Sequence, residues 1–128
     1  MKNTPAPTHW LRWFDPRYRQ PGTWGYILNR ITAIGLTIYL VLHLGVLSTL
    51  AKGPGAYNSF ITLVKSPGFK LGELLVVAGG IIHGTNGIRI VLNSFGLGVR
   101  YQKVMLAILM ALSLIGIAYF AYVMFLVD

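Results

Sequence analysis

Three long apolar runs divide the chain, over about residues 27–50, 71–92 and 104–127, and polar, glycine- and proline-rich stretches separate them. Each run is long enough to cross a bilayer hydrocarbon core of roughly 30 Å as a helix. Between the first two, Gly53-Pro54-Gly55 and Ser66-Pro67-Gly68 break the pattern, and residues 57–64 between them read as a short surface helix. After the second run, residues 93–98 read as a turn leading to Arg100 and Lys103. Before the first, Pro5, Pro7, Pro16 and Pro21 punctuate a stretch in which Trp10, Trp13 and Phe14 alternate with Arg12, Arg17 and Arg19. That mixture suits a segment lying at the headgroup level or docked on a soluble partner. The pattern predicts an all-α integral membrane protein. Residues 24–128 hold three transmembrane helices forming part of a helical bundle, and residues 1–23 a short N-terminal interfacial segment.

Composition agrees with that reading. The chain of 128 residues is 55% apolar and only 11% charged, whereas soluble domains carry about a quarter charged residues. The formal charge of +8 does not point to nucleic acid, because the basic residues sit at the ends of the apolar runs. Membrane orientation and anionic lipid headgroups account for them. One side collects Lys2, Arg12, Arg17, Arg19, Arg30, Arg89, Arg100 and Lys103, the other only Lys52, Lys65 and Lys70. This asymmetry predicts a multi-pass protein of the cell inner (cytoplasmic) membrane, with the N-terminus cytoplasmic and the C-terminus outside. The N-terminal stretch lacks the short apolar core of a cleaved signal, and His9 reads as a solvated side chain. The absence of cysteine excludes disulfides, thiolate haem ligation and iron–sulfur clusters held by this chain.

The polar residues inside the spans carry the candidate chemistry. In the second, Ile81-Ile82-His83-Gly84-Thr85-Asn86-Gly87-Ile88-Arg89 places an imidazole, an amide and a cation among membrane-core residues. Gly79, Gly80, Gly84 and Gly87 crowd around the histidine, and Gly80, His83 and Gly87 share a helix face. Glycine is a poor helix former, so the cluster points to a flat, bulky group approaching the backbone, such as haem. Close helix packing through small residues accounts for it equally. In the first span, Asn29 and Arg30 fall in an early turn, and Thr32, Gly35, Tyr39 and His43 form one polar stripe. The third carries no charged group, only Ser113, Gly116 and Tyr119 as contact features, and reads as scaffold.

Neutral imidazole is a good ligand for haem iron. Counting inward from Arg30, His43 lies roughly 20 Å deep; counting inward from Arg89, His83 lies roughly 9 Å deep. The two rings are therefore expected at depths differing by roughly 10 Å, too far apart for one iron. If both are ligands, each serves its own haem and needs its second histidine from another chain. Hydrogen bonding to a neighbouring helix is the plain alternative for either residue.

These residues resemble a known family, the cytochrome b membrane-anchor subunit of succinate dehydrogenase (succinate:quinone oxidoreductase, respiratory complex II). Tyr26-Ile27-Leu28-Asn29-Arg30-Ile31-Thr32-Ala33 looks like the family's S-x-x-H-R-x-[ST]-G segment, and His83-Gly84-Thr85-Asn86-Gly87-Ile88-Arg89 like its H-x-x-x-G-[IL]-R-H segment. The resemblance implies that His83 is an axial haem ligand, that Arg30 lies near the quinone pocket and a haem propionate, and that Arg89 is a propionate partner. His43 resembles a first-span histidine of two-haem members, where it ligates the outer haem. Tyr26, Asn29, Ala33, Ile90 and Ser94 replace a serine, a histidine, a glycine, a histidine and an aspartate of the family pattern, which fits a two-haem relative better than a one-haem one.

By the same resemblance the chain binds haem b, two per unit, each shared with a second membrane-anchor subunit that supplies the other axial histidines. It docks an iron–sulfur subunit and a flavoprotein subunit, and helps pass electrons from succinate to menaquinone or ubiquinone while catalysing nothing alone. Tyr26, Asn29, Arg30 and Ser94 offer hydrogen-bond donors for the quinone oxygens. Two readings of other classes stay open on the residues: a haem-free scaffold or assembly subunit, and a proton-coupled transporter subunit with His43 and His83 as a relay.

Overall fold

The computed structural model describes residues 21–127, so the predicted interfacial segment lies, except for its last three residues, outside the described residues. Four α-helices follow in order: α1 (Pro21–Ser48), α2 (Pro54–Val64), α3 (Pro67–Ser94) and α4 (Gln102–Tyr122). Among the described residues there is no strand. A 3-10 turn at Thr49–Lys52 prolongs α1, and a π-helical turn at Val123–Val127 prolongs α4. Three of the resulting helical segments (Pro21–Lys52, Pro67–Ser94 and Val99–Val127) are long and apolar enough to cross a membrane. The predicted surface helix is α2, joined to the start of α3 by an edge-on contact of Phe60 with Phe69.

The observed helices outrun the predicted spans at their ends. Apolar runs mark only the lipid-facing middle, while helical hydrogen bonding continues through polar residues at the interface. Pro54 and Pro67 each open a helix, where a missing N–H costs no hydrogen bond and φ is already helical. The α3–α4 turn follows from two glycines. Gly96 (φ 77°) ends α3, with its own N–H on the Asn93 carbonyl at 3.0 Å and the Leu97 N–H on the Leu92 carbonyl at 2.9 Å, a Schellman closure. Gly98 (φ 73°) then starts the return, where any Cβ would strike the Met105 sulfur.

Burial is inverted relative to a soluble domain. Among the described residues only Gly25, Asn86, Arg89, Ser113 and Met124 are buried, and large apolar side chains such as Ile34, Val41, Leu75 and Ile115 are exposed. With lipid outside, apolar surface gains little from packing, so small and polar residues make the interhelical contacts. Thr85 and Ser113 share a hydrogen bond of 2.8 Å between α3 and α4, and Gly116 admits Ile81 one turn away. At the opposite end Lys70 donates to the Met124 carbonyl at 3.3 Å, a cation on the C-terminal turn of α4.

Candidate functional site

The antiparallel contact between α1 and α3 gathers the polar residues in two tiers. The first tier, nearest the start of α1, centres on Gly25, which lies where α1 crosses α3 and α4. A Cβ there would come within 2.8 Å of Arg89 Nη2, 3.1 Å of Asn86 Oδ1 and 3.2 Å of Leu106 Cδ1. The missing side chain lets Asn86, fully buried, donate its amide to the Gly25 carbonyl. Asn86 Oδ1 in turn accepts from Arg89 Nε at 3.0 Å, and Arg89 is only 3% exposed. The guanidinium therefore points into the three-helix junction, with Nη1 towards Gly22 and Nη2 towards Gly25. Sequence reasoning gave Asn86 no role. Its signal was an amide three residues before an arginine, one helical turn away on the same face.

One turn further in lies His83. Its Nδ1 is 3.0 Å from the Asn29 carbonyl oxygen and 3.2 Å from Thr32 Oγ1, both on α1. A carbonyl oxygen can only accept, so Nδ1 carries the proton and Nε2 keeps its lone pair. This is the tautomer a metal-binding imidazole needs, with the remote nitrogen held by a carbonyl. Of the surrounding glycines, Gly87 abuts the Asn29 side chain and Gly79 abuts Leu36, whereas an added Cβ at Gly80 or Gly84 would meet nothing. Two glycines thus serve the α1 contact, and two leave open space beside the histidine's helix. The residues present fit a flat ring ligated through Nε2.

Tyr26, Asn29 and Arg30 share one turn of α1. Arg30 is exposed; its Nη2 donates to the Tyr26 hydroxyl at 2.5 Å, and its guanidinium carbon lies 4.6 Å over the Tyr26 ring. Asn29 Oδ1 is buried without a hydrogen-bond partner, a group that a ligand or water would satisfy. Ser94 is not brought to this turn. It lies five residues past Arg89, whose guanidinium already reaches Gly22, and its exposed hydroxyl donates to the Ile90 carbonyl of its own helix at 2.9 Å.

His43 has a different setting. Its Nδ1 is 3.4 Å from the Tyr39 hydroxyl, and the two rings stack at 5.4 Å between centroids. Every residue from Thr37 to Gly45 is exposed, so His43 is open to whatever surrounds this chain. The polar stripe of the first span therefore divides: Thr32 turns to α3, while Tyr39 and His43 pair with each other. His83 sits level with residues 29–32 of α1, eleven to fourteen residues before His43. At the helical rise the two imidazoles are roughly 16–21 Å apart along α1, so the expected 10 Å is too small. The expectation took Arg30 and Arg89 as level, but Arg89 lies against Gly22 and Gly25, more than a turn nearer the helix end. One iron bonded to both histidines is ruled out by this spacing. Among the described residues no three His, Cys, Asp or Glu side chains form a metal cluster.

Comparison with known proteins gives this geometry a context. The sequence model described as the succinate dehydrogenase/fumarate reductase transmembrane subunit matches residues 1–124. The chain is 34% identical over 90 residues to the succinate dehydrogenase 2 membrane subunit SdhC of Mycobacterium tuberculosis, covering 70% of this chain and 66% of that protein. It is 33% identical over 82 residues to a succinate dehydrogenase hydrophobic membrane anchor subunit of Halobacterium salinarum, covering 63% of each. The chain thus spans about two thirds of the length of the curated relatives it matches.

Proposed function

Because this chain belongs to the succinate dehydrogenase/fumarate reductase transmembrane-subunit family, we propose that it is a membrane-anchor cytochrome b subunit of a succinate:quinone oxidoreductase. It docks a flavoprotein and an iron–sulfur subunit and helps deliver their electrons to quinone. The observation that carries this reading is the His83 imidazole, whose Nδ1–H is committed to the Asn29 carbonyl and whose Nε2 is left for a metal. Haem b, when bound, supplies a one-electron carrier inside the membrane.

The chain's own residues then divide the work. His83 holds the inner haem, Gly80 and Gly84 leave room beside its helix, and a histidine of a second anchor subunit completes the ligation. His43, oriented by Tyr39 on the exposed face of α1, holds an outer haem in the same shared manner. Arg30, exposed at this end, is a cation that suits a porphyrin carboxylate. Arg89, buried in the three-helix junction, instead locks α3 to the start of α1. Tyr26, Asn29 and Arg30 form the chain's side of a quinone pocket: the Arg30 guanidinium presents hydrogen bonds to a quinone carbonyl, the unpartnered Asn29 Oδ1 is an acceptor for the hydroxyl of the reduced quinol, and Tyr26 holds Arg30 at the boundary where water supplies protons. Ser94, bonded within its own helix, is left out of this pocket. The excess of basic residues at this end supports a cytoplasmic location for it.

The test is spectroscopic. The membrane complex purified through this chain should carry the flavoprotein and iron–sulfur subunits, and succinate should reduce its b-type haem absorption bands. A complex with those partners but no haem would leave His83 as a strut between α1 and α3 and favour the scaffold reading.

A further inference from the structure

We propose that Thr32 is a positioning residue for His83: its hydroxyl, together with the Asn29 carbonyl, holds the ring's N–H and strengthens Nε2 as an iron ligand. This rests on His83 being a haem ligand. The geometry fixes the direction of each bond. Thr32 Oγ1 lies 2.8 Å from the Leu28 carbonyl oxygen and 3.0 Å from that of Asn29, neither of which can donate. The single hydroxyl proton is therefore spent within α1, and a lone pair of Oγ1 faces Nδ1 at 3.2 Å. The His83 N–H thus meets two acceptors, the Asn29 carbonyl at 3.0 Å and the Thr32 hydroxyl.

A hydroxyl that is itself donating accepts more strongly. Two acceptors drawing on one N–H raise electron density in the ring and make Nε2 a better donor to metal. A more basic axial imidazole favours ferric over ferrous iron and so lowers the midpoint potential. Threonine suits the task, because back-bonding to the preceding turn keeps its hydroxyl in place. The second histidine lacks this arrangement: among the described residues the Nδ1 of His43 has only the exposed Tyr39 phenol, at 3.4 Å. Thr32 is therefore a control specific to the inner site.

The experiment is a redox titration of the purified complex, carrying Thr32→Val or Thr32→Ser, with the haem bands as readout. In Thr32→Val one transition should move to higher potential, seen as a roughly two- to tenfold rise in the reduced-to-oxidised ratio at the unmutated midpoint. A second transition should stay in place, and Thr32→Ser should restore the unmutated value. A haem-loaded Thr32→Val complex that titrates like the unmutated one overturns the proposal. Should that variant fail to assemble, Thr32→Ala, which also removes the hydroxyl, decides: one transition must move the same way, and an unmoved potential in a haem-loaded complex overturns the proposal. A complex that holds no haem at all instead removes the premise that His83 is a ligand, an outcome distinct from bound haem with an unmoved potential.

Discussion

The two halves of α1 carry similar residues and use them in opposite ways. From Gly22 to Leu36 the face turned to α3 is taken up inside the chain, Gly25 by Asn86 and Arg89, the Asn29 carbonyl and Thr32 by His83, while Tyr26, Arg30 and Gly35 stay exposed. From Thr37 to Gly45 every residue is exposed, and Tyr39 and His43 pair with each other. His43 nevertheless shares a helix face with Gly25, Thr32 and Leu36, the face that packs on α3 further along. The difference is therefore not one of sequence pattern on α1. It lies in what stands opposite: α3 offers Asn86, His83 and Gly79 to the inner half. Opposite the outer half, Gly72 has open space around its Cα. An intramembrane polar group is costly unless partnered, and the proposed function gives the outer half such a partner in a second anchor subunit.

Substitutions in the two halves should separate accordingly. The largest effect is expected from Gly25→Leu. The new side chain has no volume between Arg89, Asn86 and Leu106, and overpacking there should destabilise by about 3 kcal/mol or more. Thermal unfolding of the purified complex reads it directly. Asn86→Ala comes next. It strands the Arg89 Nε–H, and leaving a buried charged donor without a partner should cost about 2–3 kcal/mol. A loss under 0.5 kcal/mol would mean that water replaces the amide and that the inner half is less closed than described. The smallest effect on folding belongs to His43→Ala, for which the midpoint of thermal unfolding of this chain alone should shift by no more than about 0.5 kcal/mol in equivalent free energy. A loss comparable to that of Asn86→Ala would show that the outer half is already packed within the chain, and the comparison would fail.

Much of this was legible beforehand, for a physical reason. Three apolar runs can only be satisfied as spanning helices, and proline and glycine punctuation marked α2 and the turn at residues 93–98. The helix ends were not legible, because hydrogen bonding outlasts hydrophobicity at the interface. The depth of the histidines was misjudged because two arginines were treated as one plane, although Arg89 folds into the junction at Gly22 and Gly25 while Arg30 reaches outward along Tyr26. Neither direction can be read from a residue's position in a helix. Thr32 was placed correctly on the polar stripe with His43, yet its partner is His83, because a stripe shows which face is polar and not which part of it is covered. Asn86 and Gly25 were missed for a related reason. Their importance lies in the contact between helices, and each looks ordinary in its own.

The central claim is that two imidazoles at separate levels hold separate haems. Haem quantitation on the complex, unmutated and with His83→Ala or His43→Ala, tests it most directly. Two haems per chain in the unmutated complex and one in each variant, with different absorption bands retained, is the predicted result; loss of both haems in each variant, or of neither in both, would contradict it.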